Sequence, residues 1–158
     1  MATLMSCSST TVYLVRHAEK VDESDSTDLS PSGKQRALAL ADTLASRGID
    51  SIFTTPYRRT RQTAEPLARR LGIQSRDYAP KPIGAIVDRV DRIRGRTVLV
   101  VGHSNTVLEI ARGLGAAPHL QTIEAGDFDN LFVVRIKRSL VGKRVGITEK
   151  TYGTVTLP

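Results

Sequence analysis

Two short apolar runs, neither broken by the polar alternation of a half-exposed strand, most constrain what this chain can fold into. Thr11-Val12-Tyr13-Leu14-Val15 and Thr97-Val98-Leu99-Val100-Val101 are made of the β-branched, aromatic and aliphatic residues that favour strands. A strand apolar on both faces has to be covered on both, which is the setting of a parallel sheet between helices. Both runs stop at a histidine: the first at Arg16-His17, the second at Gly102-His103-Ser104-Asn105. Ligands of open α/β sheets bind just past the carboxyl ends of the strands, so both histidines are expected at a binding edge.

The intervening segments supply the helices. In 33–47, Ala37, Leu38, Ala41, Leu44 and Ala45 keep helical spacing, with Ser30 or Ser32 as cap, Pro31 in the first turn and Gly48 past the end. Residues 51–54 read as a strand running into Thr55-Pro56, the N-cap and first-turn proline of a helix bearing Arg58, Arg59 and Arg61. Pro66 predicts a kink or break in that helix. Pro80 and Pro82 predict irregular structure over 73–82, and Ile83, Ile86, Val87, Val90 and Ile93 an amphipathic helix. Val107, Leu108, Ile110, Ala111 and Leu114 predict another helix, 130–136 a strand, and 145–156 an edge strand or hairpin. Lys137, Arg138, Lys143 and Arg144 read as a basic turn between those last two. Strands alternating with helices predict an α/β fold, a three-layer α/β/α sandwich with a mostly parallel central sheet. Without repeat or linker, 11–158 is expected to form one domain, preceded by a disordered or extended tail at 1–10.

A net charge of +7 favours anionic partners: phosphorylated small molecules, phosphoproteins or nucleic acid. With 4% aromatic residues and no Trp, stacking platforms for single strands are not expected, and no nucleic-acid partner is read. The single cysteine, Cys7, excludes an intrachain disulfide and a multi-cysteine metal site. His17, His103, His119 and Cys7 have no metal-ligand spacing, so neither metal nor cofactor is expected. No apolar run reaches membrane-spanning length. Leu4-Met5-Ser6-Cys7-Ser8-Ser9 is loosely similar to the cleavage end of a bacterial lipoprotein signal. The default expectation is a cytoplasmic protein, or an extracytoplasmic one if Cys7 is the remnant of such a signal.

Three loops are expected on one sheet edge: after Val15, after Thr54 and after Val101. They would gather Arg16, His17, His103, and Arg59 or its neighbour Arg58, between which helical spacing does not choose. Guanidiniums offer planar forks that match phosphate oxygens. Preorganised cations stabilise the charge spread over a phosphoryl group in its transition state. A histidine nitrogen can take that group in a covalent intermediate.

These residues carry a resemblance. Leu14-Val15-Arg16-His17-Ala18-Glu19 resembles the Arg-His-Gly motif of the histidine phosphatase superfamily, the phosphoglycerate mutase-like fold, and in particular its small phosphohistidine-phosphatase branch. Three further stretches match in order: Leu29-Ser30-Pro31-Ser32-Gly33-Lys34-Gln35-Arg36-Ala37, Thr54-Thr55-Pro56-Tyr57-Arg58-Arg59-Thr60-Arg61-Gln62-Thr63-Ala64, and Val100-Val101-Gly102-His103-Ser104. The resemblance implies that His17 is the phosphorylated nucleophile and that Arg16, Arg59 and His103, with Ser104, form the phosphate pocket. It selects Arg59 over Arg58 and implies a metal-independent enzyme. Ala18 stands where the family usually has glycine, and the carboxylate that serves larger relatives as general acid has no recognisable counterpart. Asp88 and the acidic loop bearing Asp22, Asp25 and Asp28 are the candidates. A chain this short leaves little room for a lid, and an open pocket admits water to a phosphoenzyme. The expected activity is therefore hydrolysis of a phosphomonoester, a phosphoprotein or phosphohistidine. A mutase-type phosphotransferase, a non-catalytic phospholigand-binding module and an arginine-rich nucleic-acid binder are the alternatives.

Overall fold

The computed structural model describes residues 7–157. The chain runs β1 (Ser8–Arg16), α1 (Pro31–Leu44), β2 (Ser51–Thr54), α2 (Arg58–Leu71), β3 (Arg76–Asp77), α3 (Ile83–Asp91), β4 (Thr97–Gly102), α4 (Val107–Gly113), β5 (Asn130–Ser139) and β6 (Gly142–Thr151). The six strands form one sheet in the order β3-β2-β4-β1-β5-β6. Val12, Leu14, Val98 and Val100 pack on one face against Ile86 and Val90 of α3 and Val107, Leu108 and Ile110 of α4. Tyr13, Val15, Leu99 and Val101 pack on the other against Leu40, Ala41 and Leu44 of α1 and Ala64 and Leu67 of α2. Unbroken apolar character along β1 and β4 thus reflects burial on both sides, and the chain forms the expected three layers.

The sheet is only partly parallel. β1, β4, β2 and β3 run parallel, but β5 and β6 pair antiparallel to β1 and to each other. The last two strands follow α4 without a further crossover helix, so β5 turns back along β1 and β6 returns as a hairpin. Lys137, Arg138, Lys143 and Arg144 belong to these strands and not to a turn; Leu140 and Val141 alone make the loop. β1 starts at Ser8, where it pairs with Arg138, so the tail expected at 1–10 includes strand residues; 1–6 lie outside the described residues. So does the first half, 4–6, of the stretch similar to a lipoprotein signal. Residues 73–82 contain β3, a two-residue strand beside β2. No described helix is long and apolar enough to cross a membrane.

Helix starts differ in one respect that matters for the site. α1 follows the sequence: Ser30 is its N-cap, accepting from the Gly33 N–H, with Pro31 in the first turn. A Cβ on Gly33 would lie 2.0 Å from the Glu19 carbonyl oxygen, so only glycine lets this helix abut the loop after β1. α2, by contrast, begins at Arg58 and not at the predicted Thr55 cap, and no side chain caps it. It also runs unbroken through Pro66. The proline removes one backbone donor, and the burial of Thr63, Ala64 and Leu67 around it holds the helix together.

Candidate active site

Register brings the two histidines together. In the parallel β1–β4 pair Arg16 lies opposite Gly102, and the His17 N–H donates to the Gly102 carbonyl at 2.9 Å. His17 and His103 are therefore the next residues off two neighbouring strands, with ring centroids 5.4 Å apart in an edge-on arrangement. That spacing lets one tetrahedral phosphoryl group touch both. Gly102 is required by close approach, since a Cβ there would meet the Thr106 Oγ1 and the Tyr78 hydroxyl, each at 3.0 Å. Thr106 holds the turn by accepting from the His103 N–H.

His17 is 4% exposed. Its Nδ1 lies 2.8 Å from the Ala18 carbonyl, an acceptor, so Nδ1 carries the hydrogen and Nε2 keeps its lone pair. Burial holds the imidazole far below its ordinary value, at about 3, aided by the charges of Arg16, His103 and Arg59 and opposed by the Ala18 hydrogen bond. The ring is a neutral amine base at physiological pH, as a nucleophile must be. His103 is lowered to about 4, again chiefly by burial, then by Arg59, Arg16 and Lys20.

His103 Nε2 lies 2.9 Å from Thr55 Oγ1, which is 3.0 Å from Thr60 Oγ1. Thr60 donates its one hydroxyl hydrogen to the carbonyl of Thr55 or of Tyr57, both at 2.9 Å. It must then accept from Thr55, so Thr55 in turn accepts from His103 Nε2–H. The hydroxyl expected to cap α2 thus fixes the tautomer of the second histidine, leaving Nδ1 bare.

The two guanidiniums are held differently from ordinary surface arginines. Arg16 Nη1 donates to the carbonyls of Glu124, Ala125 and Asp127 at 2.9, 3.0 and 2.8 Å, and its guanidinium lies 3.9 Å from the centre of the Phe128 ring. Burial works against its charge, while Asp127, Glu19 and Glu23 support it. Arg59, in the first turn of α2, stacks on the Tyr57 ring and donates from Nη1 to the Asp25 carbonyl at 3.0 Å. In both arginines Nε is buried and makes no hydrogen bond. Unpaired buried donors are rare and costly; here both belong to arginines that line one cleft.

That cleft, of about 700 Å³, is lined by Arg16, His17, Arg59 and His103, with Ser104, Tyr57, Lys20 and Glu23 among the other walls. Arg58, left open against Arg59 by spacing alone, is turned away to Asp28 at 2.7 Å. The carboxylates considered as general acids all lie elsewhere. Asp88 is exposed on α3; Asp22 accepts from Ser24, and Asp28 is held by Arg58 and Gln62. Asp25 contributes its carbonyl to Arg59 and does not line the cleft. His119 is on the surface beside Glu149. Among the described residues no group of three or more His, Cys, Asp or Glu could hold a metal ion.

Sequence reasoning missed Thr55, Thr60, Phe128, Lys20 and Glu23 as members or supports of the site. It also missed what Gln62 and Thr63 of the third motif do. Thr63 accepts from the Ala18 N–H at 2.9 Å, and Gln62 accepts from the Leu29 N–H and donates to Asp28. These residues of α2 hold the loop after the first histidine in place. Ala18 itself is buried with Leu29 and Ala37, where its methyl group fits without displacement of the loop.

Residues 12–79 match the model of the histidine phosphatase superfamily, branch 1. No curated protein sequence matches the chain significantly. Among solved structures, a SixA from Nakamurella multipartitia is similar at 20% identity and a TM-score of 0.60, covering 93% of this chain and 96% of that one. The protein histidine phosphatase SixA complexed with tungstate is 19% identical with a TM-score of 0.64, covering 91% and 96%. A mycobacterial glucosyl-3-phosphoglycerate phosphatase is 14% identical with a TM-score of 0.66, covering 92% and 100%. These likenesses establish the fold, and the family match spans the first three of the four motifs.

Proposed function

We propose that this chain, with the fold and the sequence pattern of a histidine phosphatase, hydrolyses phosphomonoesters or phosphohistidine through a phosphohistidine formed on His17 Nε2. One observation carries this reading: two guanidiniums, each tied through Nη1 to backbone carbonyls, line the same cleft as two neutral imidazoles 5.4 Å apart. A phosphoryl dianion supplies the negative charge that this cluster of donors favours. Arg16 and Arg59 hold its equatorial oxygens. His17 Nε2 attacks phosphorus while its Nδ1–H stays on the Ala18 carbonyl. His103 takes up a proton as the dianion arrives, since an adjacent anion favours imidazolium, and donates it as a hydrogen bond from Nδ1. Ser104 lines the same pocket.

The substrate class follows from the charge of the cleft and from its exposed rim at Lys81 and Asn105. That rim admits a phosphoprotein side chain as well as a small ester, and lets water reach the phosphoenzyme. A mutase has to exclude water at that stage, so hydrolysis is the better fit. The proteins of similar fold are named for protein histidine phosphatase and for glucosyl-3-phosphoglycerate phosphatase activity, both within this class. One sheet with helices packed on both faces supports reading 11–158 as a single domain.

The test uses p-nitrophenyl phosphate and a phosphohistidine protein with wild type and His17→Ala. The variant should lose turnover by at least about a thousandfold, and smaller losses remove His17 as nucleophile. Quenched wild type should hold an acid-labile, alkali-stable phosphoryl group, and turnover should survive a strong chelator.

A further inference from the structure

Resting on that reading, we propose that Glu23 is the proton donor to the leaving group, released for that role when the phosphoryl group draws Lys20 away from it. Glu23 is the only carboxylate among the described residues that line the cleft. Its side chain is 90% exposed and ends 2.5 Å from the Lys20 Nζ, whose own side chain is 18% exposed. The loop that bears it is not a loose excursion. An antiparallel bridge between Lys20 and Leu29 closes its base, and the Val21 N–H donates to the Asp28 carbonyl at 3.0 Å. Asp22 accepts from the Ser24 N–H at 2.8 Å, and the Asp22 N–H donates to Thr27 Oγ1 at 3.1 Å, which fixes the backbone on either side of Glu23. The Asp25 carbonyl joins the loop to Arg59. Glu23 is near enough to support the charge of Arg16, and Lys20 near enough to oppose protonation of His103. The pair therefore lies in the wall of the cleft that the phosphoryl group would enter.

Other groups in the cleft are poor donors. Lysine ammonium and tyrosine hydroxyl groups hold their protons too tightly near neutrality to match a general acid. His103 has Nε2 committed to Thr55 and faces the phosphoryl oxygens. When a dianion binds, Lys20 turns to its oxygens, and Glu23 is left beside negative charge, which favours the neutral carboxyl. As the His17 Nε2–P bond forms, the P–O bond to the leaving group breaks and the Glu23 proton passes to that oxygen, which departs as an alcohol. Water then attacks phosphorus and gives a proton to the Glu23 carboxylate. The N–P bond breaks with its electron pair returning to Nε2, and inorganic phosphate leaves.

The experiment compares wild type, Glu23→Gln and Lys20→Met on a series of aryl phosphates from p-nitrophenyl to phenyl, whose leaving groups need progressively more protonation. Glu23→Gln should lose less than about tenfold in kcat on p-nitrophenyl phosphate but about a hundredfold on phenyl phosphate. It should also lose one limb of the pH profile. Lys20→Met should weaken turnover alike across the series. If Glu23→Gln lowers every substrate equally, or none, Glu23 only positions Lys20 and the proposal is overturned. If wild type turns over no member of the series, the phosphatase reading itself fails.

Discussion

Arg36 and the pair Arg16 and Arg59 show two opposite uses of a guanidinium within one small molecule. Arg36, whose side chain is 2% exposed, meets Glu19 with Nε and Nη2 at 2.8–2.9 Å and gives its remaining donors to the carbonyls of Tyr152 and Thr154. Burial alone would lower its proton affinity, but the hydrogen bonds and charge of Glu19 more than offset that and raise it. It ties the loop after His17 to α1 and to the C-terminal segment, and it offers nothing to a ligand. Arg16 and Arg59 are anchored by backbone carbonyls through Nη1 while Nε stays unpaired. A guanidinium paired with a carboxylate is a clamp; one held by neutral carbonyls at the wall of a cleft is a receptor for an anion.

The comparison can be broken from either side. Arg36→Met leaves Glu19 without its partner in a mostly buried position and should cost about 3 kcal/mol of stability. Read by thermal unfolding, that is a fall of roughly 10 °C, with turnover per folded molecule little changed; a large loss of kcat in the folded fraction would erase the distinction. Arg59→Met should do the reverse. Its kcat/KM on an aryl phosphate should fall about a hundredfold to a thousandfold, while its melting temperature moves by only a few degrees because a lone buried donor disappears with it. Stabilisation of the wild type by added inorganic phosphate should vanish in this variant.

The acid limb of stability separates the two regions further. His17 and His103 sit below the ordinary imidazole value of 6.5, at about 3 and about 4. Below 6.5 the unfolded chain binds protons that the folded site refuses, so stability is lost as pH falls from about 6.5 and levels off once both rings protonate near 4 and 3. Each refused proton contributes a slope of about 1.4 kcal/mol per pH unit. His17→Ala should flatten denaturant midpoints measured between pH 6.5 and 4 by one such proton; an unaltered slope would mean that His17 titrates normally. The smallest effect concerns Thr55→Val, which frees the His103 tautomer and should lower kcat severalfold without moving the melting temperature by more than a few degrees.

Much of this was written in local sequence. Continuous apolar runs in β1 and β4 state that both faces are covered, because no other environment tolerates them. Ser30, Pro31 and Gly33 state where α1 begins, and three of the four motifs name the histidines and arginines of the cleft. β3 was hidden because two residues beside prolines carry no periodicity. The β5–β6 hairpin was blurred because its loop is Leu140-Val141, apolar residues with no turn signature, so the nearby cations drew the boundary instead. Glu23 was passed over for its aspartate neighbours, since composition cannot say which side chain of an acidic loop borders the cleft.

By itself, then, the sequence determined the secondary elements that bury two faces of a sheet and the chemical kinds that end its strands, since both follow from the hydropathy and hydrogen-bonding capacity of neighbouring residues. Only the tertiary structure decided that Arg16 stands opposite Gly102, that Thr55 serves His103 and not a helix, and that two guanidinium groups are held by backbone carbonyls at one cleft. Those are relations between segments distant along the chain, fixed by strand register and by which carbonyl reaches a given nitrogen first.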